Sequence, residues 1–528
     1  MLPLERSLQQ IFPQTRKYLK PEAWDRFRSR VEGLENPEAL FDILDGFPFD
    51  PEGPAFLPDL SRLEWAIQQT RTPAADANPE PDDWTVNPGL QLLSLSFRNL
   101  TRQLEEPDQR LEPEAGEEMV LVWRDPRSTA VRFRPARDED LLALKMILEE
   151  IRPEEAALAG GVTPGETEAA LWRAAAEGIL IAPRTRIRRD PASFADTAIT
   201  DPEFLEASFF TLQWHITQVC DLHCKHCYDR SRRSPLTLDQ GTRILEDLQR
   251  FCREKRVRGQ ISFSGGNPLL YPEFNALYRA AAETGFRTAI LGNPTSRDRL
   301  EAIRAIQEPE FFQVSLEGLA RHNDAIRGAG HFDRILEFLP LLKELGIYSM
   351  VMLTLTRDNL EEVIPLAELL RDKTDAFFFN RLAQVGEGAN LRGPSREEYA
   401  AFLEAYLEAA AANPLMGLKD NLTNIVHYRK GIPAFGGCTG YGCGAAFNFL
   451  TLLPDGEVHA CRKLPSLLGN VLESSLTEIY ESEVARRYRG GTEACRGCPI
   501  RPVCGGCLAV AYGKGLDIFQ ERDPYCFL

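Results

Sequence analysis

Three thiols, Cys220, Cys224 and Cys227, follow directly on the β-rich run Leu212-Gln-Trp-His-Ile-Thr-Gln218. The stretch reads as a strand running into a loop that carries cysteines at CxxxCxxC spacing, and no other feature narrows the choice of fold so far. A cubane iron–sulfur cluster has four irons and is normally held by four thiolates. One loop that offers three leaves an iron free for a substrate or cofactor, which is the kind of open site catalysis needs. A structural zinc knuckle and a redox pair are the alternatives. Zinc prefers paired CxxC knuckles with four ligands, and a disulfide has no use for a third cysteine.

From Leu212 onward short β-rich runs alternate with amphipathic helical ones. The expected strands are Leu212–Gln218, Gln260–Ser264, Arg287–Leu291, Phe311–Leu316, Tyr348–Leu355 and Ala376–Leu382, with helices such as Thr237–Lys255, Tyr271–Gly285 and Phe332–Leu345 between them. Thr237 and Gln240 fit a capping box at the first of these helices. Such alternation implies an α/β fold, with parallel strands joined by right-handed crossovers. Barrel-type folds keep their chemistry at the C-terminal ends of the strands, which is where the cysteine loop falls. The second strand runs into Ser264-Gly265-Gly266-Asn267-Pro268, where two glycines let the backbone come close to a ligand. The fourth strand gives Gln313-Val-Ser315-Leu-Glu317-Gly318, and Arg327 follows in a helical stretch. Cys252 has apolar helical neighbours and is expected to be an inert buried thiol.

Of the twelve cysteines none precedes Cys220, and eight fall between Cys438 and Cys526. With no signal peptide in view, such clustering points to metal rather than to disulfides. The spacing is Cys438-x4-Cys443, then Cys461, then Cys495-x2-Cys498-x5-Cys504-x2-Cys507 and Cys526. Eight thiols suffice for two fully ligated cubanes or for two zinc sites. Leu450 to Cys461 reads as a hairpin that turns at Asp455-Gly456. The formal charge of −17 argues against nonspecific nucleic-acid binding. No apolar run is long enough to span a bilayer. A cytoplasmic protein, with neither nucleic acid nor membrane as partner, is the expectation.

The N-terminal third reads differently. Residues 1 to about 75 look helical, and Thr72 to Asp83 reads as a linker. Strands are expected at Glu118–Arg124 and Thr129–Arg134, then helices at Asp138–Ile151 and Glu166–Glu177, closing on Gly178-Ile-Leu-Ile. The region carries no metal triad and no Gly-rich phosphate loop.

A CxxxCxxC loop followed by the aromatic Tyr228 resembles the radical S-adenosylmethionine (SAM) superfamily. In that family the amino and carboxylate groups of SAM chelate the open iron. One-electron cleavage then gives methionine and a 5′-deoxyadenosyl radical that takes a hydrogen atom from an unactivated carbon. The six β/α units match the family's partial barrel. Where the family carries Gly-Gly-Glu-Pro this chain has Gly265-Gly266-Asn267-Pro268, so the resemblance assigns the backbone of Gly265 and Gly266 to the SAM amino group. Asn267 stands there as an uncharged amide in place of the acid. By the same likeness Ser315 would hydrogen-bond SAM at the ribose and Arg327 would pair with its carboxylate. An interior salt bridge is the alternative for Arg327. Arg381 and Gly386-Glu387-Gly388 would lie near the adenine.

The C-terminal spacing and hairpin resemble the SPASM extension of these enzymes. That likeness assigns Cys438, Cys443, Cys461 and Cys507 to an inner auxiliary cluster and Cys495, Cys498, Cys504 and Cys526 to an outer one. With Cys220, Cys224 and Cys227 this makes three [4Fe-4S] clusters. The N-terminal pattern resembles winged-helix elements that capture leader peptides, a structural cap being the alternative. The expected organisation is an N-terminal helical and winged-helix-like domain (1–200), a partial (β/α)6 barrel (205–395), a helical linker (396–437) and a Cys-rich SPASM domain (438–528).

The resemblance implies a maturase that works on a ribosomally made precursor peptide, with a reducing partner such as ferredoxin or flavodoxin. Its product would be a thioether or carbon–carbon crosslink or a heterocycle, and the selenobiotic-type thio(seleno)oxazole maturases are one point of likeness. A sulfatase maturase making formylglycine is the rival enzyme; those place an acid after the cysteine equivalent to Cys461, where this chain has Arg462. A non-catalytic electron-transfer or zinc scaffold is the rival from another class. It would have no need for an open iron or for the Gly265-Gly266 turn.

Overall fold

Four successive buried residues, Val120, Leu121, Val122 and Trp123, face alternate sides of one strand and divide the N-terminal region into two cores. Val120 and Val122 pack with the helices Pro21–Val31 and Leu57–Thr70, while Leu121 and Trp123 pack with Asp138–Leu148 and Pro164–Glu177. A strand covered on both faces reads as a continuous apolar run. The computed structural model describes residues 8–31, 54–72, 81–105, 113–194 and 197–528. They form two units, Met1–Arg184 and Thr185–Leu528.

The strands described in the first unit are β1 (Thr85–Val86), β2 (Gln91–Arg98), β3 (Glu114–Arg124), β4 (Val131–Pro135) and β5 (Leu180–Ile181). An antiparallel sheet runs β2-β3-β4, and β1 pairs with β5. β3 and β4 overlap the two strands expected here; β2 and the helix Pro153–Gly160 are additions. β2 escaped the period-2 reading because Gln91 sits on its covered face while Leu92, 43 % exposed, sits on the outer one. Residues 73–80 of the expected linker lie outside the described residues.

The second unit holds β6 (Phe209–Thr217), β7 (Arg258–Gly265), β8 (Arg287–Leu291), β9 (Phe312–Ser315), β10 (Ser349–Leu355) and β11 (Ala376–Arg381). All six are parallel neighbours in sequence order, with helices between them. This is the expected partial barrel. Helix Leu238–Lys255 starts at the capping box read from Thr237 and Gln240, whose backbone and side chain bond reciprocally at 2.9 and 3.3 Å. Cys252 is buried on its inner face.

The sheet does not stop at six strands. β12 (Phe449–Leu452) lies parallel to β6, with Leu450 opposite Leu212, and β13 (Glu457–His459) and β14 (Leu467–Asn470) follow antiparallel. The hairpin expected around Asp455-Gly456 is thus hydrogen-bonded onto the first barrel strand. Residues 185–200 belong with this unit rather than with the N-terminal one. Arg189, buried there, donates to the carbonyls of Tyr441 (2.8 Å) and Cys443 (2.9 Å). No helix among the described residues is long and apolar enough to cross a membrane.

Candidate functional site

The cysteine loop leaves β6 at Thr217 and lies against the end of β7. Gly266 N–H donates to Thr217 O and Asn267 N–H to Val219 O, both at 2.8 Å. A Cβ on Gly265, whose φ is +125°, would strike Thr217 O, and one on Gly266 would strike Val219 O. The glycine pair therefore answers first to the loop's own backbone, where the sequence alone suggested a ligand. Asn267 is buried and does not line the cavity described below. Its Nδ2 donates to Asp221 Oδ1 (3.0 Å) and its Oδ1 accepts Leu269 N–H (3.3 Å).

A cavity of about 400 Å³ opens at the C-terminal ends of the strands. It is lined by Cys220, Cys224, Cys227, Tyr228, Gly265, Gly266, Ser315 and Arg327, all named from the sequence. Gln313, Met352 and Asn380 of β9 to β11 also face it, as do Arg462 and Lys463 just past Cys461. The strand residues were within reach of a period-2 reading, since Gln313 and Ser315 share a face. Arg462 and Lys463 were not, because they arrive through the pairing of β12 with β6.

Arg327 already has a carboxylate. Its Nη2 and Nε donate to Glu317 Oε1 at 2.6 and 2.9 Å, and its Nη1 lies 3.7 Å from Cys224 Sγ. Glu317 also meets His226 Nε2 at 3.1 Å and accepts Thr354 N–H at 2.7 Å. The structure thus shows the interior ion pair at Arg327, the alternative to a SAM carboxylate contact. Burial pushes the Glu317 carboxyl up, but His226, Arg327 and the Thr354 N–H outweigh it and hold the acid well below the usual range.

Removing one partner of a buried ion pair typically costs about 3–5 kcal/mol. Glu317→Gln is expected to lower the denaturant midpoint of the apo-protein accordingly. The sign with pH follows from the depressed value: wild type keeps this contribution above the ordinary carboxyl value of 4.5 and loses it as pH falls below it. The wild-type and variant midpoints should therefore converge in acid. Equal midpoints at pH 7 would remove Glu317 as the anchor of Arg327.

Arg381 and Gly386-Glu387-Gly388, which the resemblance set near the adenine, do not line this cavity. Arg381 is buried between Asp420 and Asp523, at 2.7 Å from each, and does not line the cavity. Gly386 lies against the carbonyls of Cys227 and Tyr228, and Glu387 N–H donates to Cys227 O at 2.9 Å. That turn braces the cysteine loop from behind. Tyr228 places its hydroxyl 3.2 Å from Nε2 of His215, whose pKa burial drives down to about 3. The imidazole is accordingly neutral.

All twelve cysteines are free of disulfides. Burial raises Cys443, Cys461, Cys495, Cys498, Cys504 and Cys507. Cys443 is pushed up to about 11 by burial, with Cys461 and Cys438 adding to it, and Cys507 to about 12 with Cys443 and Cys461 adding. Cys495 goes to about 11 by burial, with Cys498 and Cys526 adding, and Cys504 is raised well up with the same two contributing. Cys495, Cys498, Cys504 and Cys526 line one cavity, and Cys443 N–H donates to Cys504 O at 3.1 Å. Crowded, buried thiols become thiolates only around cations. Among the described residues no three His, Cys, Asp or Glu side chains are placed to share one metal ion. A four-thiolate set spread around a cluster is the donor chemistry these groups fit. The cysteine loop offers its cluster three thiols at the rim of the cavity. Lys463, just past Cys461, is drawn down to about 8 by burial.

Residues 214–370 match the family described as the radical SAM superfamily, and residues 443–499 match SPASM, an iron–sulfur cluster-binding domain. Among curated proteins, the chain is 28% identical over 340 residues to an AdoMet-dependent heme synthase of Methanosarcina barkeri, covering 60% of this chain and 95% of that one. It is 26% identical over 322 residues to the antilisterial bacteriocin subtilosin biosynthesis protein AlbA of Bacillus subtilis, covering 58% and 67%. Among solved structures, Streptococcus suis SuiB bound to precursor peptide SuiA superposes with a TM-score of 0.50 at 16% identity, covering 78% of this chain and 97% of that one.

Proposed function

We propose, from the premise that this chain is an enzyme of radical SAM type carrying a SPASM domain, that it oxidatively modifies a ribosomally made precursor peptide. The observation that carries the proposal is the placement of a three-thiol loop at the mouth of a cavity of about 400 Å³, with eight further free cysteines, from Cys438 to Cys526, in the same unit. Similarity to a bacteriocin biosynthesis protein supports a peptide as substrate. In this reading the N-terminal unit captures the leader of that peptide, and a small reducing protein supplies electrons.

Cys220, Cys224 and Cys227 would hold the SAM-binding cluster. When bound, cluster and SAM supply one-electron cleavage of the sulfonium and hydrogen-atom abstraction from an unactivated carbon. The chain's own residues set the stage. Gly265, Gly266 and Ser315 line the cavity where SAM would sit, while Met352, Leu382 and Ala383 line its wall and would keep water from the reacting carbon. Arg327, neutralised by Glu317, stiffens the side of the loop that holds Cys224. Cys438, Cys443, Cys461 and Cys507, next to Lys463 on the cavity wall, and the outer set beyond them would hold clusters that take the electron left on the substrate.

A second reading, a tetrapyrrole substrate, rests on the similarity to a heme synthase. The deciding experiment is anaerobic reconstitution, then dithionite and SAM with either a cysteine-containing leader–core peptide, drawn from any short reading frame found near the gene, or an iron porphyrin. Three cubanes correspond to about twelve irons per chain. The expected result is that iron content, 5′-deoxyadenosine, and a peptide lighter by two hydrogen atoms. Turnover of the porphyrin with an unchanged peptide would replace the peptide reading. A colourless protein with zinc and no 5′-deoxyadenosine would sink both.

A further inference from the structure

Asp221 is held by two side-chain amides that come from the ends of two different strands. Asn267, just past β7, donates from Nδ2 to Asp221 Oδ1 at 3.0 Å; Asn293, just past β8, donates to the same oxygen at 2.6 Å. Asn293 Nδ2 also lies 3.8 Å from Cys220 Sγ, and Leu222 N–H points to that sulfur at 3.4 Å. Asp221 follows Cys220 directly, so its carboxylate is the point at which the first turn of the cysteine loop is pinned to the barrel. Among the described residues the opposite end of the loop is fixed differently, through Cys227 O and the Gly386 turn.

From this we propose that Asp221, Asn267 and Asn293 form a carboxylate–diamide clamp that positions Cys220 as a cluster ligand. They act as positioning residues, through Cys220; Asn293 also lines the cavity, while Asp221 and Asn267 do not. The proposal rests on the reading that Cys220, Cys224 and Cys227 hold the SAM-binding cluster, and it adds a requirement on residue polarity. Asp221 accepts and the two amides donate. An acid at position 267 would set two carboxylates about 3 Å apart in place of a donor–acceptor pair, and like charges at that distance repel strongly away from bulk water. The asparagine at 267 is thereby explained by its partner on the loop: with Asp221 present, this position must donate.

The clamp makes a polarity-swap test possible. Asn267→Asp removes the donor but keeps an oxygen able to accept Leu269 N–H, so the turn after β7 retains its cap. In the pair Asp221→Asn with Asn267→Asp, the new amide nitrogen at 221 donates to the new carboxylate at 267, and its second N–H goes to Asn293 Oδ1 once the Asn293 amide turns over. Wild type, Asn267→Asp, Asp221→Asn and the double variant are reconstituted anaerobically, and electron paramagnetic resonance spectra of the reduced proteins are taken with and without SAM. The expected result is that Asn267→Asp loses the SAM-induced change in the spectrum and drops at least about tenfold in 5′-deoxyadenosine formation, a loss of about 1.4 kcal/mol or more. The double variant is expected to regain both, and the iron of the C-terminal clusters stays constant throughout.

A merely structural role would lower thermal stability without moving the spectrum, and the swap would not restore the SAM response. An Asn267→Asp variant that behaves as wild type, or a double variant no better than Asn267→Asp, overturns the clamp; Asp221→Asn alone keeps an acceptor oxygen and serves as the reference for the double variant. Should Asn267→Asp fail to fold, the double variant still decides, since it folds and responds to SAM only if the two positions are coupled. Absence of any SAM response in wild type would instead remove the cluster reading beneath the proposal.

Discussion

Cys220→Ala is expected to reduce 5′-deoxyadenosine formation to the level of a protein-free control while leaving most of the iron in place. Cys220 is exposed at the start of its loop and makes few contacts, the nearest being Leu222 N–H and Asn293 Nδ2. Surface changes of this kind usually move folding stability by less than about 0.5 kcal/mol. The loss is therefore chemical. Three thiols are the least that holds a cubane with one open iron, and the cavity offers no cysteine besides Cys220, Cys224 and Cys227. Cys252, the remaining thiol outside the C-terminal sets, is buried in the barrel core and cannot substitute. Iron should fall from about twelve to about eight per chain, with apo-protein melting unchanged. Continued SAM cleavage by the variant would refute the loop as the catalytic cluster site. Loss of all iron would mean that the eight C-terminal thiols do not hold metal independently.

The barrel was legible because each strand and its following helix are encoded locally. The apolar runs, the Thr237–Gln240 cap and the cysteine loop all carry their signal within a few residues, and six strands in sequence order need no long-range information. The candidate site was legible where it is built from loop and strand ends: the three thiols, Tyr228, Gly265, Gly266, Ser315 and Arg327 do meet at one cavity. What was not legible depends on partners distant in sequence. The parallel pairing of Phe449–Leu452 with Phe209–Thr217 is made by backbone groups, which every residue carries, and it alone brings Arg462 and Lys463 to the cavity. Asn267 looked like a lapse in a motif because its partner, Asp221, lies in a different loop. Arg381 looked like a ligand residue because a buried double ion pair leaves no trace in local sequence.

That arginine gives the largest expected effect on stability. Arg381 closes β11, and its Nε and Nη1 reach Asp420 and Asp523, with side-chain exposures of 3, 8 and 2 % for the three residues. Its guanidinium also lies over the rings of Tyr399 and Tyr525, at 5.3 and 5.5 Å. Arg381→Met keeps much of the volume but leaves two carboxylates buried without a counter-charge. Breaking one such pair costs about 3–5 kcal/mol, so the double pair should bring the denaturant midpoint of the apo-protein down by at least that much. The damage should also reach the metal. Asp523 Oδ2 accepts Cys507 N–H at 2.8 Å and Asp523 O accepts Cys526 N–H at 2.9 Å, so one residue ties a member of each four-thiol set to the barrel. Arg381→Met is therefore expected to lose C-terminal cluster iron to a chelator faster than wild type, while Cys220→Ala does not. Adding Asp420→Asn and Asp523→Asn to Arg381→Met removes the stranded charges and should recover part of the midpoint, because a neutral set no longer carries the desolvation cost of two anions. If the single variant unfolds at the wild-type midpoint, Arg381 does not hold the C-terminal cysteine region to the barrel, and the iron-loss rates of the two proteins should then coincide as well.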